Sequence, residues 1–340
     1  MKVLTARAAA LRLALLGALL LASLALGLAA GPSALAPGNA LRELFTRGDS
    51  GVAADIALRV RLPRVVLAAA VGAALAVAGA LFQALLRNPL ADPYVLGVSG
   101  GAAVGGIVAL SLGSALGWGA AAVTPAAFAG ALATTAALYA VAAVRGRVSA
   151  THLLLTGVVF NAFASAGIVF VASLAGLTEG TSLFLWLIGS LSAVRADAAP
   201  IVGAFLALGL GCALPLLRDL DLLSLGEESA AQLGVDVARV QRVLLLSTSL
   251  MVGAAVSVAG LIGFVGLIVP HLLRLRLGPD HRLLVPASAL AGAAFLVLCD
   301  TAARTVLGGR ELPVGAITAL AGGPLFLYLL RRQQLHSGAP

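Results

Sequence analysis

The sequence VGAALAVAG at Val71–Gly79 recurs as VGAAVSVAG at Val252–Gly260, with seven of the nine positions identical. Ten residues beyond each copy stands a proline, Pro89 and Pro270, so the offset of 181 residues continues past the match. Both copies lie in long apolar stretches, which indicates that a hydrophobic half-molecule was duplicated. A Gly/Ala tract can also recur by chance in an alanine-rich chain, and the shared proline argues against chance.

Composition places the chain in a membrane. Hydrophobic residues make up 61% of it, charged residues 11%, and the mean hydropathy is +1.07, which leaves too few charges to cover a soluble surface. Crossing a bilayer takes about 20 apolar residues per helix, and strands of a barrel would alternate over about ten, a pattern that is not seen. The predicted spans are roughly 10–30, 62–86, 94–113, 119–143, 151–174, 197–217, 241–260, 262–277, 283–305 and 313–331.

The expected fold class is therefore all-α: one polytopic transmembrane domain, 1–340, with about ten membrane helices. The second copy lies five spans after the first, so the copies cross the membrane in opposite directions. This predicts an inverted repeat of helices 2–5 and 7–10, in which the second helix corresponds to the seventh.

Basic residues indicate the orientation. The net charge is +8, carried mostly at helix ends, as expected of a membrane protein rather than a nucleic-acid binder. Lys2, Arg7 and Arg12 precede the first span and predict a cytoplasmic N-terminus; ten spans then place the C-terminus there too. In this orientation Arg59, Arg61 and Arg64 lie on the extracytoplasmic side. They are an exception to the cytoplasmic preference of basic residues, and this exception needs a cause. The first segment is expected to be retained, although its basic start and small-residue end also fit a cleaved signal peptide.

The chain lacks the residues of several catalytic classes. Lys2 is the only lysine, so an internal GxxxxGK[ST] nucleotide loop is excluded. The four histidines fall at predicted cytoplasmic ends, and Cys212 and Cys299 lie in predicted spans, so no haem, metal or disulfide site is expected. We expect no catalytic residue and no cofactor.

Few polar groups lie within the spans. Asp300 and Arg304 are four residues apart on one helix face, and they form either a self-neutralising pair or, through Arg304, part of an outer docking surface. Gln83 and Asn161 are expected to hydrogen-bond between helices rather than contact a substrate. Because carriers driven by protons or sodium usually hold ionisable groups deep in the bilayer, the driving force is expected to come from outside it.

The segment 218–242, between the sixth and seventh spans, is the most polar internal stretch. Ser224 is predicted to cap a short helix that carries Glu227 and Glu228 near its start, where acidic side chains suit the helix dipole. Gly234 is predicted to stop this helix, and Asp236 to start the next. The apolar side of the short helix is predicted to be Leu223, Leu225, Ala230 and Leu233. The segment is either an interfacial connector or a lever that presses into a partner protein.

Several motifs together resemble one known family. The run Glu227-Glu228-Ser229-Ala230-Ala231, followed by Gly234, resembles the coupling loop of ATP-binding-cassette importer permeases. The flanking blocks resemble the branch for ferric siderophores, haem and cobalamin, the FecCD/BtuC-like family. They are RLPR at 61–64, GALFQALLRNPLADPYVLGVSGGAAVGG at 79–106, GFVGLIVPHLLR at 263–274, GPDHR at 278–282, DTAAR at 300–304 and ELPVGAITALAGGPLFLYLLRR at 311–332.

The resemblance implies a permease dimer, here expected to be a homodimer, in the bacterial cytoplasmic membrane. It further implies two separate ATPase subunits, an outer binding protein, and a metal chelate as substrate: a ferric siderophore, alternatively haem or cobalamin. The chain itself would not be an enzyme. Glu227–Gly234 would dock in a groove of the ATPase and transmit its closure. Arg61, Arg64 and Arg304 would meet acidic residues of the binding protein, which would explain the charge exception; a solvated helix start is the alternative for Arg61 and Arg64.

Two prolines are expected at helix ends. Asn88-Pro89 and Pro270 are predicted to bend or stop their helices on the cytoplasmic side, because proline lacks a backbone donor and disfavours helix before it. Two other classes of transporter remain as alternatives. A secondary carrier or channel would need a buried carboxylate or a broken-helix ion site, and an exporter permease would lack both the outer docking surface and the Glu-Glu-Ser-Ala-Ala segment.

Overall fold

The computed structural model of the chain describes residues 6–31, 55–94, 97–116, 122–144, 147–174, 186–192, 195, 197–307 and 311–337. Lys2, used above for orientation, lies outside these residues. The regular structure of the described part is helical, apart from a two-residue antiparallel pair of β1 (Ala143–Val144) with β2 (Arg147–Val148). The helices are α1 (Ala6–Ala29), α2 (Leu62–Leu85), α3 (Val98–Leu116), α4 (Val123–Ala142), α5 (Ala150–Leu174), α6 (Ala198–Ala213), α7 (Leu217–Leu223), α8 (Glu227–Gln232), α9 (Val237–Ala259), α10 (Val265–Leu277), α11 (His281–Thr305) and α12 (Val314–Ser337).

The all-α prediction is confirmed, and each predicted span overlaps one helix. Seven helical stretches in the described part are long and apolar enough to cross a membrane: Arg7–Ala29, Ile56–Leu85, Val123–Ala142, Ala150–Leu174, Ala198–Leu223, Val237–Ala259 and His281–Thr305. Val98–Leu112 and Val314–Leu329 are shorter apolar helical stretches. α10 has only 13 residues, about 20 Å of helix, so it is shorter than a bilayer core.

The helix contacts repeat with the offset of the sequence repeat. α2 packs against α10 and α11, and α9, which carries the second copy, packs against α3 and α4. The pairs α3–α4, α4–α5 and α3–α5 recur as α10–α11, α11–α12 and α10–α12. Exchanging α2–α5 with α9–α12 therefore maps these contacts onto one another, which confirms the predicted pairing of helices 2–5 with 7–10.

Two opposite ends of the bundle are fixed by contacts of α2. Near its start, Arg64 binds Asp300 of α11, and just after its end, Arg87 binds Glu227 of α8. We call these the arginine end and the α8 end. α9 begins next to α8 and runs away from it, so α2 and α9 run in opposite directions, as an inverted repeat requires.

Glycines of the repeat allow close helix packing. A Cβ added at Gly72 of α2 would collide with the Gly292 carbonyl of α11, so these backbones are in contact. In the second copy, a Cβ on Gly253 of α9 would lie 3.0 Å from the Cβ of Ala131 in α4. Because α4 corresponds to α11 in the repeat, the same glycine makes the equivalent helix contact in both halves.

The core lies along α2, α9 and α11, whose side chains are mostly buried. α1 and α5 lie at the periphery and expose apolar side chains, among them Leu21, Phe163 and Leu174. Exposed faces of this kind suit contact with lipid or with another protein in the membrane.

Candidate functional site

The polar segment folds into two short helices at the α8 end. Gly226, with φ +116°, occupies the N-cap position of α8, so the prediction that Ser224 caps this helix is wrong. The Ser224 hydroxyl instead donates to the Asp221 carbonyl oxygen at 2.6 Å. A positive φ is accessible to glycine without strain, and it lets the chain turn sharply between α7 and α8.

The end of α8 agrees with the sequence prediction. Gly234 has φ +90°; its N–H donates to the Ala231 carbonyl, and the N–H of Val235 donates to the Ala230 carbonyl. This pair of bonds is a Schellman motif, which ends a helix at a glycine. α9 then begins with Asp236 as its N-cap, whose carboxylate accepts the Arg239 N–H at 3.0 Å.

α8 presents a mixed surface to its surroundings. Leu223 and Ala230 are buried, but Leu225 and Leu233 are 65% and 60% exposed, so only half of the predicted apolar side faces the core. The side chains of Glu228, Ser229 and Ala231 are exposed as well, and Gly234 lies on the same surface. A six-residue helix flanked by exposed leucines has a surface of a kind that suits contact with another protein.

Polar side-chain contacts attach this segment to the bundle. Arg87 and Gln241 donate to the Glu227 carboxylate at 3.5 and 3.3 Å, so Glu227, with its side chain 24% exposed, is directed toward α2 and α9. Asp221 of α7 binds His281, the first residue of α11, with Oδ1 2.6 Å from Nδ1. The sequence prediction included Glu227 but missed Asp221 and His281, whose 60-residue separation hides their pairing.

At the arginine end, Arg61 lies just before α2 and binds the end of α1. Its Nη1 donates to the carbonyl oxygens of Leu28 and Ala29, at 2.9 and 3.0 Å. Carbonyls at a helix C-terminus lack intrahelical donors and carry partial negative charge, so a guanidinium group is a favourable partner there. Arg61 is 4% exposed, so it is not part of a solvated helix start.

Arg64 and Arg304 share the carboxylate of Asp300. The Arg64 Nε lies 3.0 Å from Asp300 Oδ1, and the Arg304 Nε lies 3.0 Å from Oδ2. Arg64 Nη1 also binds Glu311 at 2.8 Å, and Arg304 donates to the Gly27 carbonyl at 3.1 Å. The predicted Asp300–Arg304 pair is therefore confirmed, within a cluster that joins α1, α2 and α11.

The side chains in this arginine cluster are mostly internal. Arg64 and Arg304 are 7% and 2% exposed, because the helices of the chain itself cover them, whereas the side chain of Glu311 is 40% exposed. Docking of a partner by Arg61, Arg64 and Arg304 stays a prediction. Glu311, the more exposed partner of Arg64, is a residue that the sequence prediction did not single out.

The loop between α2 and α3 is held by its own polar side chains. α2 ends at Leu85, and Pro89 follows in the loop, where the Asn88 Oδ1 accepts the Leu90 N–H at 2.9 Å. Asp92 Oδ1 accepts the Tyr94 N–H at 2.9 Å, and Asn161 Nδ2 of α5 donates to the Tyr94 carbonyl at 2.8 Å. The predicted interhelical role of Asn161 thus takes the form of a loop-to-helix bond.

Pro270 departs from its prediction, because it lies inside α10 and does not end it. The proline removes the N–H that would bond the Gly266 carbonyl four residues earlier. Gln83 of α2 replaces that donor: its Nε2 donates to Gly266 at 3.4 Å and to Leu267 at 3.0 Å. An interhelical amide therefore compensates the helix for the proline.

Replacing Gln83 with leucine is expected to destabilise the protein by about 1–3 kcal/mol, the cost of leaving a buried carbonyl without a donor. Thermal unfolding of purified protein in detergent measures the loss. A Pro270→Ala background restores the missing N–H, so the same Gln83→Leu change should cost less there. Equal losses in both backgrounds would show that Gln83 does not compensate for the proline.

Asp92 is expected to make the stability of the fold depend on pH. Burial raises the pKa of this carboxyl to about 6, against the opposing hydrogen bonds from the N–H groups of Tyr94 and Phe264. Since the folded pKa lies above the unfolded value of about 3.9, stability should fall as pH rises between these values, by about 2–3 kcal/mol in all. Asp92→Asn should remove this slope in unfolding measured from pH 4 to 8.

The control for this titration is Asp197→Asn. A hydrogen bond from Arg195 lowers the pKa of the exposed Asp197, the opposite direction to Asp92, so its Asn variant should keep the wild-type fall in stability with rising pH. A wild-type slope in Asp92→Asn would contradict the assignment to Asp92.

Comparisons with known proteins bear on both ends of the bundle. The sequence pattern of the FecCD transport family matches residues 19–332 of the chain. The chain is 47% identical over 278 residues to the cobalamin import system permease protein BtuC of Halobacterium salinarum, covering 82% of this chain and 74% of that protein. It is 42% identical over 299 residues to the hemin transport system permease protein HmuU of Yersinia pestis, covering 86% and 88%.

A solved structure is also similar. It is described as an inward-facing conformation of a metal-chelate type ABC transporter, and it superposes with a TM-score of 0.82 at 30% identity, covering 95% of this chain and 99% of that one. The α8 segment and the arginine cluster both lie within residues 19–332, the region that matches the FecCD transport family.

Proposed function

The chain belongs to the FecCD transport family, and from this premise we propose that it is the membrane-spanning permease subunit of an importer that moves a metal chelate into the cytoplasm. ATP hydrolysis on two separate ATPase subunits supplies the energy. A ferric siderophore is the first candidate substrate, with haem and cobalamin as alternatives. The observation that carries the proposal is α8, a short polar helix that a chain of 61% hydrophobic residues presents between two membrane helices.

α8 is the docking element for the ATPase. Its exposed side combines Glu228 and Ser229 with Leu225 and Leu233, a mixture of charge and apolar area that suits insertion into a groove of a soluble protein. Glu227 has a different role, since it attaches the helix to Arg87 and Gln241. The side of α8 that contacts the partner and the side that binds the bundle are thus separate. A movement of the partner can therefore be transmitted through α8 to the bundle.

The α8 end accordingly faces the cytoplasm, and both termini lie on that side of a bacterial inner membrane. The arginine end faces the extracytoplasmic binding protein. Its three guanidinium groups outnumber the carboxylates of Asp300 and Glu311 by one positive charge, which favours approach of an acidic partner surface. Docking through Arg61, Arg64 and Arg304 belongs to this proposal.

A second copy of the chain completes the permease. α5 exposes Phe163, Val169, Phe170 and Leu174, and its counterpart in the repeat, α12, exposes Leu320 and Leu327. These equivalent faces are apolar, so a symmetric homodimer that pairs them across a central pathway is the assembly we propose.

Reconstituted transport tests the function. The chain is placed in liposomes with its genomically neighbouring ATPase and binding protein, and ATP-dependent uptake of labelled ferrichrome, haemin and cyanocobalamin is measured. Uptake of at least one chelate that requires both ATP and the ATPase is expected. Uptake that persists without the ATPase would overturn the proposal in favour of a secondary carrier, and loss of binding-protein dependence would favour a different class of transporter.

Reversing Glu228 to lysine is expected to lower uptake by about tenfold or more, because an exposed charge in the first turn of the docked helix would meet the partner groups with the wrong sign. Reversal of Glu227 together with Glu228 should uncouple hydrolysis from transport or prevent ATPase binding while the permease stays inserted. Co-purification of the ATPase and uptake per ATP hydrolysed measure the two effects. Arg239→Glu, an exposed reversal on α9, is the control; an equal loss there would contradict a specific role for α8.

A further inference from the structure

Asp221 and His281 form the shortest of the side-chain contacts that attach α7 and α8 to the bundle. The carboxylate Oδ1 lies 2.6 Å from His281 Nδ1 and also accepts the His281 backbone N–H at 3.0 Å. With the carboxylate as acceptor, Nδ1 carries the proton and donates it. The other two contacts, from Arg87 and Gln241 to Glu227, are 3.5 and 3.3 Å long.

The place of this contact in α11 strengthens it. His281 is the first residue of α11 and is buried, so Asp221 puts a negative charge at the positive end of a 25-residue helix. The Asp280 side chain caps the same helix through the Arg282 N–H. α11 therefore begins on two carboxylates, one from its own loop and one from α7.

A short hydrogen-bonded turn connects Asp221 to α8. The Ser224 hydroxyl binds the Asp221 carbonyl at 2.6 Å, and the N–H groups of Leu225 and Gly226 bind carbonyls of α7. Leu217, Leu220 and Leu223 bury the other side of α7 in the core. These hydrogen bonds restrict how far α8 can move relative to Asp221.

α11 extends from this contact to the arginine end. Its 25 residues give a length of about 37 Å, and Asp300 and Arg304 near its far end belong to the arginine cluster. Between these two ends, the backbone of α11 at Gly292 is in direct contact with the backbone of α2 at Gly72, because neither glycine has a side chain to separate the helices. One packed helix thus contacts both the segment assigned to the ATPase and the face assigned to the binding protein.

We propose that Asp221 and His281 are positioning residues that couple α8 to α11, and that α11 carries the conformational signal between the ATPase and the docked binding protein. The inference rests on the proposed function. It predicts that a loaded binding protein stimulates ATP hydrolysis, and that α11 carries this effect to the ATPase. A pair that only capped α11 would contribute to stability and leave the ratio of transport to hydrolysis unchanged.

The test uses the complete complex of permease, ATPase and binding protein in liposomes, with the chelate among ferrichrome, haemin and cyanocobalamin that wild type takes up. Asp221→Asn, His281→Asn and the double variant are compared with Asp219→Asn, which changes an aspartate on the same short helix for which the described residues give no ion pair. ATPase binding, basal hydrolysis, hydrolysis stimulated by the loaded binding protein and uptake per ATP are measured for each.

Both single variants are expected to assemble with normal basal hydrolysis and to lose about 5- to 10-fold in stimulation and in uptake per ATP, at the lower end of typical allosteric coupling. The double variant should lose no more than either single variant, because the two residues act as one pair. Asp219→Asn should match wild type.

Several results would overturn the inference while leaving the proposed function intact. They are wild-type stimulation in Asp221→Asn, additive losses in the double variant, or losses in Asp219→Asn of the same size. If a variant does not assemble, a distance measured between spin labels on α8 and α11 in the wild-type complex, with and without ATP, decides instead: an unchanged distance supports movement as a unit, and a changed one contradicts it. Failure of the proposed function would appear separately, as wild-type uptake that needs no ATPase.

Discussion

Replacing Gly79 with alanine is expected to prevent stable folding, with a loss of at least about 3 kcal/mol. A Cβ at this position would collide with the backbone of Gly266 in α10, including its carbonyl oxygen. A side chain can change rotamer to relieve such a clash, but a packed helix backbone can move only as a whole. α2 and α10 would have to separate, which would also break the bonds from Gln83 to Gly266 and Leu267.

A glycine in open space provides the matched control. Apart from the local backbone of α6 itself, no atom of the described residues lies within 4 Å of where a Gly203 Cβ would stand, and alanine is the better helix former by about 0.5–1 kcal/mol. Gly203→Ala is therefore expected to be neutral or stabilising. The measurement is the yield of monodisperse protein and its unfolding temperature in detergent. Wild-type stability of Gly79→Ala would contradict the close packing of α2 on α10.

The same repeat marks how far the sequence predicted the fold. Apolar length located every long helix, and the two copies identified α2 and α9 as counterparts. The different roles of Gly79 and Gly260, the last residues of the two copies, could not be predicted. Gly79 continues α2, whereas Gly260, at φ +70°, ends α9. Identical local sequence is used differently because Gly260 lies against the Trp186 carbonyl, a contact between distant parts of the chain.

The candidate site was predictable where local chemistry decides. Gly234 and Asp236 end one helix and begin the next through bonds to residues within five positions, and both were identified from sequence. Leu225 and Leu233 were assigned to the wrong side, because a helix of six residues is too short for periodicity to define a face. The burial of Arg64 was not predictable either, since its partners Asp300 and Glu311 are 236 and 247 residues away.

Removing the Asp300 carboxylate is the second change with a large expected effect. Asp300→Ala leaves the buried guanidinium groups of Arg64 and Arg304 without the acid between them, and breaking a buried ion pair from one side costs about 3–5 kcal/mol. Glu311 and the carbonyls of α1 compensate only part of this charge, so α1 and α11 should loosen at the arginine end. The unfolding temperature in detergent and the proteolysis of the α1–α2 connection measure the loss.

The chain contains a second Asp–Arg ion pair with the same spacing, but exposed to solvent. Comparing the two pairs separates the effect of burial from the effect of ion pairing. Asp55 and Arg59 are also four residues apart, with 3.1 Å between charged atoms, but their side chains are 54% and 80% exposed. Asp55→Ala should therefore cost less than about 1 kcal/mol. Replacing Asp300 and Arg304 together with apolar residues should recover part of the Asp300→Ala loss, since the uncompensated charge is then smaller. Equal losses at Asp55 and Asp300 would mean that the arginine cluster is open to water, and its guanidinium groups would then be free to meet a partner directly.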